Sequence, residues 1–281
     1  MPTAQLHDDA RLDVSILGDG PPVLLPFSTA LVEGEAAESM RAWGADPNLG
    51  HTLATGLADA GFRAVTAGYE AHLAARPKPR TLTASAVAAD LLAVADAAGA
   101  DRFAYYGYSW LAVAGLQLAT RTDRLGALAM GGFSPLGGLH APMLTVTRAA
   151  HRMALANRDR PPRTVKVQPG DWDSVESTQT PEQTEQYVTL YESLAAFDEQ
   201  AALDRLGLPR LVFAGADDNI TYGPRWDDAY VGIADAVRTN RDRLTEHGWT
   251  VELIAGADHM GAMQADRVLP ILLPWLREHW C

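Results

Sequence analysis

Residues 102–120 read RFAYYGYSWLAVAGLQLAT, and the join at Gly107-Tyr108-Ser109-Trp110 decides the fold. A short apolar run suited to a buried strand passes straight into a helical stretch. A serine at so sharp a strand-to-helix turn holds its hydroxyl above the carboxyl ends of a sheet, where open α/β sheets form their sites. Gly107 permits the tight approach before it. The Trp110 amide, at the helix start, points toward a developing oxyanion with the helix dipole behind it. In the usual G-x-S-x-G pattern the fifth residue is glycine, which lets helix and strand pack closely; here it is Leu111, so the elbow must adjust locally. The competing reading of Ser109 is an ordinary helix N-cap.

Working outward, strands and helices alternate. Residues 11–17 (RLDVSIL) alternate apolar and polar as a half-buried strand does, and Gly18–Pro22 is a turn before the short apolar run Val23-Leu24-Leu25. Residues 49–60 carry apolar positions at helical spacing, Phe62 to Thr66 reads as the next strand, and an Ala/Leu-rich helix over about 83–98 ends at Gly99. After the elbow, Leu125 to Gly131 is another buried strand. From about 140 to 200 no strand-like run occurs; His140 to Lys166 is rich in Arg, and Thr178 to Phe197 is helical with Gln and Glu outward. Strand character returns at Leu211–Gly215 and Thr250–Ile254, with helices expected at about 225–247 and 264–279. This alternation predicts an α/β fold: a mostly parallel central sheet with helices on both faces, a core over 1–139 and 201–281, and a helical cap over 140–200.

The 281 residues carry 23 Lys+Arg against 35 Asp+Glu, a formal net charge of −12. With 47% apolar and 21% charged residues the composition is that of a globular chain rather than a disordered or collagen-like one. The acidic balance has the wrong sign for phosphate backbones or an anionic membrane surface. Cys281 is the only cysteine, which leaves no intramolecular disulfide or thiolate cluster for structural zinc. The first residues lack the basic patch and apolar run of a secretory signal, and no apolar stretch approaches the ~18 residues needed to span a bilayer. The expectation is a cytoplasmic monomer or homodimer that acts on a small molecule, without cofactor, metal, nucleic acid or membrane.

Two further stretches carry chemistry. Gly215-Ala216-Asp217-Asp218 leaves a buried strand, and a carboxylate there can accept an imidazole Nδ1 proton and stabilise imidazolium. Side chains of neighbouring residues diverge, so one of the two faces the site; turn residues are the plain alternative. Ala255-Gly256-Ala257-Asp258-His259-Met260-Gly261 is a small-residue loop that lets His259 reach a serine on another strand as general base. The other histidines, His7 in the N-terminal tail among them, lack this context, and no H-x-x-x-H or H-E-x-x-H spacing occurs.

The chain order Ser109, then Asp, then His259, each after a strand, is that of α/β-hydrolases. The sequence resembles that superfamily over nearly its whole length, on GPPVLL, ADLLAVADAAGADRFAYYGYSW, LVFAGADD and IAGADHMG. The resemblance implies nucleophile Ser109, base His259 and orienting acid Asp218, with Asp217 as runner-up. It also implies a serine hydrolase that cleaves an ester, lactone, thioester or amide through an acyl-serine, most often a carboxylic ester. Acyl transfer, perhydrolysis, a lyase or cyclase step, or a non-catalytic ligand-binding homologue are the rival readings.

Two departures accompany Leu111. The family's common His-Gly after the early strand is replaced by Leu25-Pro26-Phe27-Ser28-Thr29, where proline cannot donate. Ser28, and next Phe27, is the expected second oxyanion amide beside Trp110. The frequent D-x-R-G-x-G stretch is absent; Thr66-Ala67-Gly68-Tyr69-Glu70-Ala71-His72 stands there. Tyr108 and Phe27 are expected against the substrate. Tyr69, Trp110, Trp172, Tyr187 and Tyr191 either line an apolar pocket or simply pack. The run Arg148, Arg152, Arg158, Arg160, Arg163 and Lys166, broken only by Asp159, either steers an anionic substrate or pairs with the acidic body.

Overall fold

The computed structural model describes residues 1–159 and 179–281. In chain order it has β1 (Thr3–Gln5), β2 (Arg11–Asp13), β3 (Ser15–Leu17), β4 (Pro22–Leu25), α1 (Gly34–Ala42), α2 (Leu49–Asp59), β5 (Arg63–Thr66), α3 (Tyr69–Ala75), α4 (Ala84–Ala97), β6 (Phe103–Tyr108), α5 (Trp110–Ala119) and β7 (Leu125–Gly131). Then follow α6 (His140–Asn157), α7 (Pro181–Ser193), α8 (Glu199–Arg205), β8 (Arg210–Gly215), β9 (Asn219–Thr221), β10 (Tyr230–Gly232), α9 (Ile233–Thr239), α10 (Arg241–Glu246), β11 (Trp249–Ile254), α11 (His259–Ala262) and α12 (Ala265–His279).

Seven strands form one sheet in the order β11-β8-β7-β6-β4-β5-β3, parallel throughout except for β3, which runs antiparallel to β5 at one edge. Every residue of β6, β7 and β8 is buried, as expected of parallel strands covered on both faces. The chain leaves β4 toward β5 on one side and returns through β6 to β7 on the other. The sheet therefore has a switch point beside β6, and the loops after β4, β6, β8 and β11 open at its carboxyl edge.

Some local expectations change. Residues 11–17 form two strands, because the ladder partner switches at Val14: β2 pairs with β1 in a separate antiparallel ribbon, and β3 joins β5. The helix expected at about 225–247 is broken up. Asp227 and Asp228 take left-handed φ of 58° and 51° in the connection of a β9–β10 hairpin, and helix begins only at Ile233 and breaks again at Asn240. On α7 the glutamines are not all outward: Gln186 is buried, its Oε1 accepts from Lys78 N at 3.1 Å, and its Nε2 donates to Leu73 O at 3.4 Å. Thr180 and Gln183 form a capping box that starts this helix.

His7 is not in a free tail. Its backbone N–H and Nδ1 donate to the buried Asp90 carboxylate at 2.7 and 2.9 Å, and Tyr69 Oη donates to the same group at 2.7 Å. Lys78 Nζ, also buried, lies 2.6 Å from Asp8 and 3.7 Å from Asp90. This network clamps the β1–β2 ribbon to α3 and α4. Among the described residues no helix is long and apolar enough to cross a membrane, and no group of three His, Cys, Asp or Glu is placed to hold a metal ion.

Removing one partner of a buried ionic network leaves the other charge uncompensated. Asp90→Asn is expected to lower the unfolding free energy by about 3 kcal/mol in urea titrations. Asp96→Asn, which loses only the surface pair with Arg124, is expected to cost under about 1 kcal/mol.

Candidate active site

Ser109 stands between β6 and α5 with φ 57° and ψ −128°, a left-handed conformation rare for a residue with a side chain. Its amide donates to Gly131 O at 2.8 Å, and its carbonyl accepts the first helical bond from Ala112 N at 2.9 Å. Gly107 is required here, since a Cβ would lie 2.4 Å from Leu111 O. The structure also shows how Leu111 is tolerated at the fifth position. The close pass moves one turn on to Gly115, where a Cβ would meet the Tyr105 ring at 2.4 Å, while Tyr105 Oη donates to Leu111 O at 2.7 Å.

At the carboxyl end of β8, Asp218 is 1% exposed and its two carboxylate oxygens lie 3.0 and 2.9 Å from His259 Nδ1. That nitrogen therefore carries the proton, because an ionised carboxylate only accepts. Asp217 is exposed, and its amide donates to Ala257 O. Gly215 lets the two loops touch: a Cβ there would lie 2.1 Å from Ala257 O. His259 opens α11, whose N-cap Asp258 accepts from Gly261 N at 2.7 Å. Tyr108, beside the serine, donates its hydroxyl to His259 O at 2.8 Å and packs its ring 5.1 Å from the imidazole. Ser109 Oγ and His259 Nε2 have no hydrogen-bond partner among the described residues. Such contacts often tighten only when substrate is bound.

Trp110 N lies at the free start of α5. Neither the Ser28 nor the Phe27 amide donates to any group among the described residues; Ser28 Oγ accepts from Ala30 N at 3.2 Å. The structure gives the surroundings of the two residues expected against the substrate. Tyr108 is buried beneath the histidine and holds it, and Phe27 is buried with its ring 5.8 Å from that of Tyr106.

The aromatic residues divide. Trp110 meets the Tyr187 ring edge-on at 5.4 Å and the Tyr69 ring at 6.2 Å, whereas Tyr191 is a core residue. Trp110 Nε1 also donates to Glu70 Oε1 at 2.5 Å. Glu70 has no role in the sequence reading; its only signal was its place in the unusual stretch after β5. In the basic run, Arg148 pairs with Glu192 at 2.8 Å and Arg152 with Asp227 at 2.7 Å, so these two serve as ion-pair partners. Arg158 follows α6, while Arg160, Arg163, Lys166 and Trp172 lie outside the described residues. A separate recess of about 600 Å³, lined by His140, Tyr191, Phe197 and Glu199 among others, contains none of Ser109, Asp218 and His259.

No protein-family model matches the chain, and no curated protein matches it in sequence. Solved structures do. It is similar to a thermophilic esterase from Thermogutta terrifontis (malate bound), at 18% identity and TM-score 0.60, covering 98% of this chain and 97% of that one. It is also similar to a bromoperoxidase from Bacillus anthracis, at 15% and 0.59, covering 98% and 99%. An enol-lactonase from Burkholderia xenovorans LB400 matches at 17% and 0.56, covering 98% and 100%. Identities this low establish a shared fold and leave the reaction to the site.

Backbone strain at Ser109 has a measurable consequence. Glycine occupies positive φ without steric cost. Ser109→Gly is therefore expected to be more stable than Ser109→Ala by about 1 kcal/mol in denaturant titrations, although both lack the hydroxyl.

Proposed function

We propose that this chain, which has the α/β-hydrolase fold, is a serine hydrolase that cleaves a small-molecule carboxylic ester or lactone through an acyl-serine. The observation that carries the reading is the buried Asp218 carboxylate on His259 Nδ1, with the same histidine held by Tyr108, the residue before a serine in the strained elbow conformation. With its Nδ1 proton committed to Asp218, His259 offers Nε2 as a base. It takes the Ser109 proton as Oγ attacks the acyl carbon. The tetrahedral oxyanion is held by the Trp110 amide and by Ser28 N, one of the amides in the loop after β4 that donate to no described group. Nε2 then hands its proton to the leaving alkoxide. Water repeats the sequence on the acyl-serine, and the carboxylic acid departs with Ser109 restored. Helices α6 and α7 belong to the cap over 140–200, with the Tyr187 ring edge-on to Trp110.

A fluorophosphonate is expected to label wild-type protein at Ser109 and to leave Ser109→Ala unlabelled by mass spectrometry. Asp218→Asn is expected to lower kcat/KM on 4-nitrophenyl esters by about 10³–10⁴, since the imidazole loses its tautomer and orientation, and Asp217→Asn to change it by less than about twofold. Absence of an adduct in folded protein, or equal small losses at the two aspartates, would overturn the reading. An adduct without turnover of simple esters would instead favour acyl transfer to an acceptor other than water.

A further inference from the structure

The serine and the histidine of the site follow different strands, β6 and β11, and one side chain joins the two segments. Tyr108 ends β6, and Ser109 is the next residue. Its Oη donates to His259 O at 2.8 Å, and its ring lies 5.1 Å from the imidazole. His259 is therefore fixed at two points. Asp218, just after β8, accepts from Nδ1, while Tyr108 ties the main chain of the same residue to the strand that carries the nucleophile. The short α11, only four residues long, gives the histidine little rigidity of its own.

The fold makes room for this tie. Tyr108 is buried, and at both Gly131 and Gly132, where β7 ends, a Cβ would lie 2.5 Å from its side chain. Two consecutive glycines thus leave the space that the ring fills, and Phe213 of β8 packs against it at 6.2 Å. Burial holds the phenol well above its ordinary pKa, so the hydroxyl keeps the proton it donates. Tyr106 provides a contrast. It lies two residues earlier on the same face of β6, against Phe27 and Phe213, and its buried Oη bonds no described group.

We infer that Tyr108 is a positioning residue that sets the base against the nucleophile: its hydroxyl, bonded to the His259 main chain, holds the imidazole in place relative to the serine that follows it in sequence. The inference rests on the serine-hydrolase reading for its effect on rate, but the tie itself needs no turnover. Tyr108 touches no reacting atom in this role and acts through His259. A misplacement of about 1 Å at such a contact costs on the order of 10² in rate, so a partial loosening is expected to cost about tenfold.

The test compares Tyr108→Phe with Tyr106→Phe in the full chain. Tyr108→Phe is expected to lower kcat on 4-nitrophenyl esters and the rate of fluorophosphonate labelling at Ser109 by about tenfold each, with KM changed by less than about twofold. Tyr106→Phe, which removes a hydroxyl from the same strand face but no bond to the histidine loop, is expected to change all three by less than about twofold. In a His259→Ala background, Tyr108→Phe should slow the residual labelling no further, because its effect passes through the histidine. Gly132→Ala, which sets a methyl against the same ring with the hydroxyl intact, is expected to reproduce the loss, and it tests the tie if Tyr108→Phe does not fold. Crystal structures test it without turnover: the His259 imidazole is expected to move by about 1 Å from its wild-type place on Asp218 in Tyr108→Phe, and to stay there in Tyr106→Phe. An unmoved imidazole, equal losses in the two phenylalanine variants, or a loss that persists without His259 overturns the positioning role even where Ser109 is labelled. An unlabelled wild-type Ser109 together with a displaced imidazole in Tyr108→Phe overturns the hydrolase reading and leaves the tie standing.

Discussion

The reversal of the chain at Ser109 is the constraint on which the rest of the site depends. A strand cannot turn into a helix within one residue unless that residue leaves the extended and right-handed regions, and the strain is tolerated only where the surroundings fix it. Here both sides of β6 do so. Tyr105 faces α5, fills the space that Gly107 and Gly115 leave open, and bonds Leu111 O. Tyr106 and Tyr108 face the other way, against Phe27 and Phe213. The period-2 alternation of one strand thus packs the helix from one face and supports the histidine loop from the other.

The remaining parts arrive through parallel pairing rather than through local sequence. Because β6, β7, β8 and β11 run in one direction, their following loops all leave at one edge. The loops that carry residues 109, 218 and 259 therefore open on the same edge, and Asp218 meets His259 there without either segment specifying the other. Gly215 is the fine adjustment: without a side chain, β8 can end against the Ala257 carbonyl, which sets the distance at which the carboxylate of Asp218 meets His259.

Legibility in the sequence followed the range of the interactions involved. The strand-to-helix run at 102–120, the buried strands near 125–131 and 211–215 and the strand near 250–254 rest on local periodicity, and each has its counterpart in the structure. The division of 11–17 between two sheets was not legible, because alternation persists through Val14 while the pairing partner changes. Nor was the role of His7, whose partner is 83 residues away. Gln186 reads as an outward residue of its helix for the same reason: a polar residue's local sequence does not reveal which distant group satisfies it. The choice between Asp217 and Asp218 depends on which one the loop turns inward, and the Gly215–Ala257 contact decides that from outside the segment.

The chain contains two buried pairs in which a histidine Nδ1 meets an aspartate at 2.9 Å, His7 with Asp90 and His259 with Asp218. Their chemistry is alike, and their consequences differ at the opposite ring nitrogen. His7 Nε2 meets Thr81 Oγ1 at 3.2 Å on an exposed segment, and the Asp90 carboxylate is shared with Tyr69 and Lys78. The Lys78 ammonium and a phenol on the same carboxylate spread its charge, so little of it is directed at the imidazole; the arrangement clamps an N-terminal ribbon. Asp218 has no such competitors among the described side chains. His259 Nε2 is uncommitted, on the same sheet edge as a serine whose following amide begins a helix. An imidazole–carboxylate pair becomes a device for moving a proton only where its outer nitrogen is free and a donor set for negative charge lies within reach. In the proposed mechanism His259 supplies the free nitrogen and the helix start after Ser109 the donor set, whereas His7 sits on the ribbon with its outer nitrogen on Thr81.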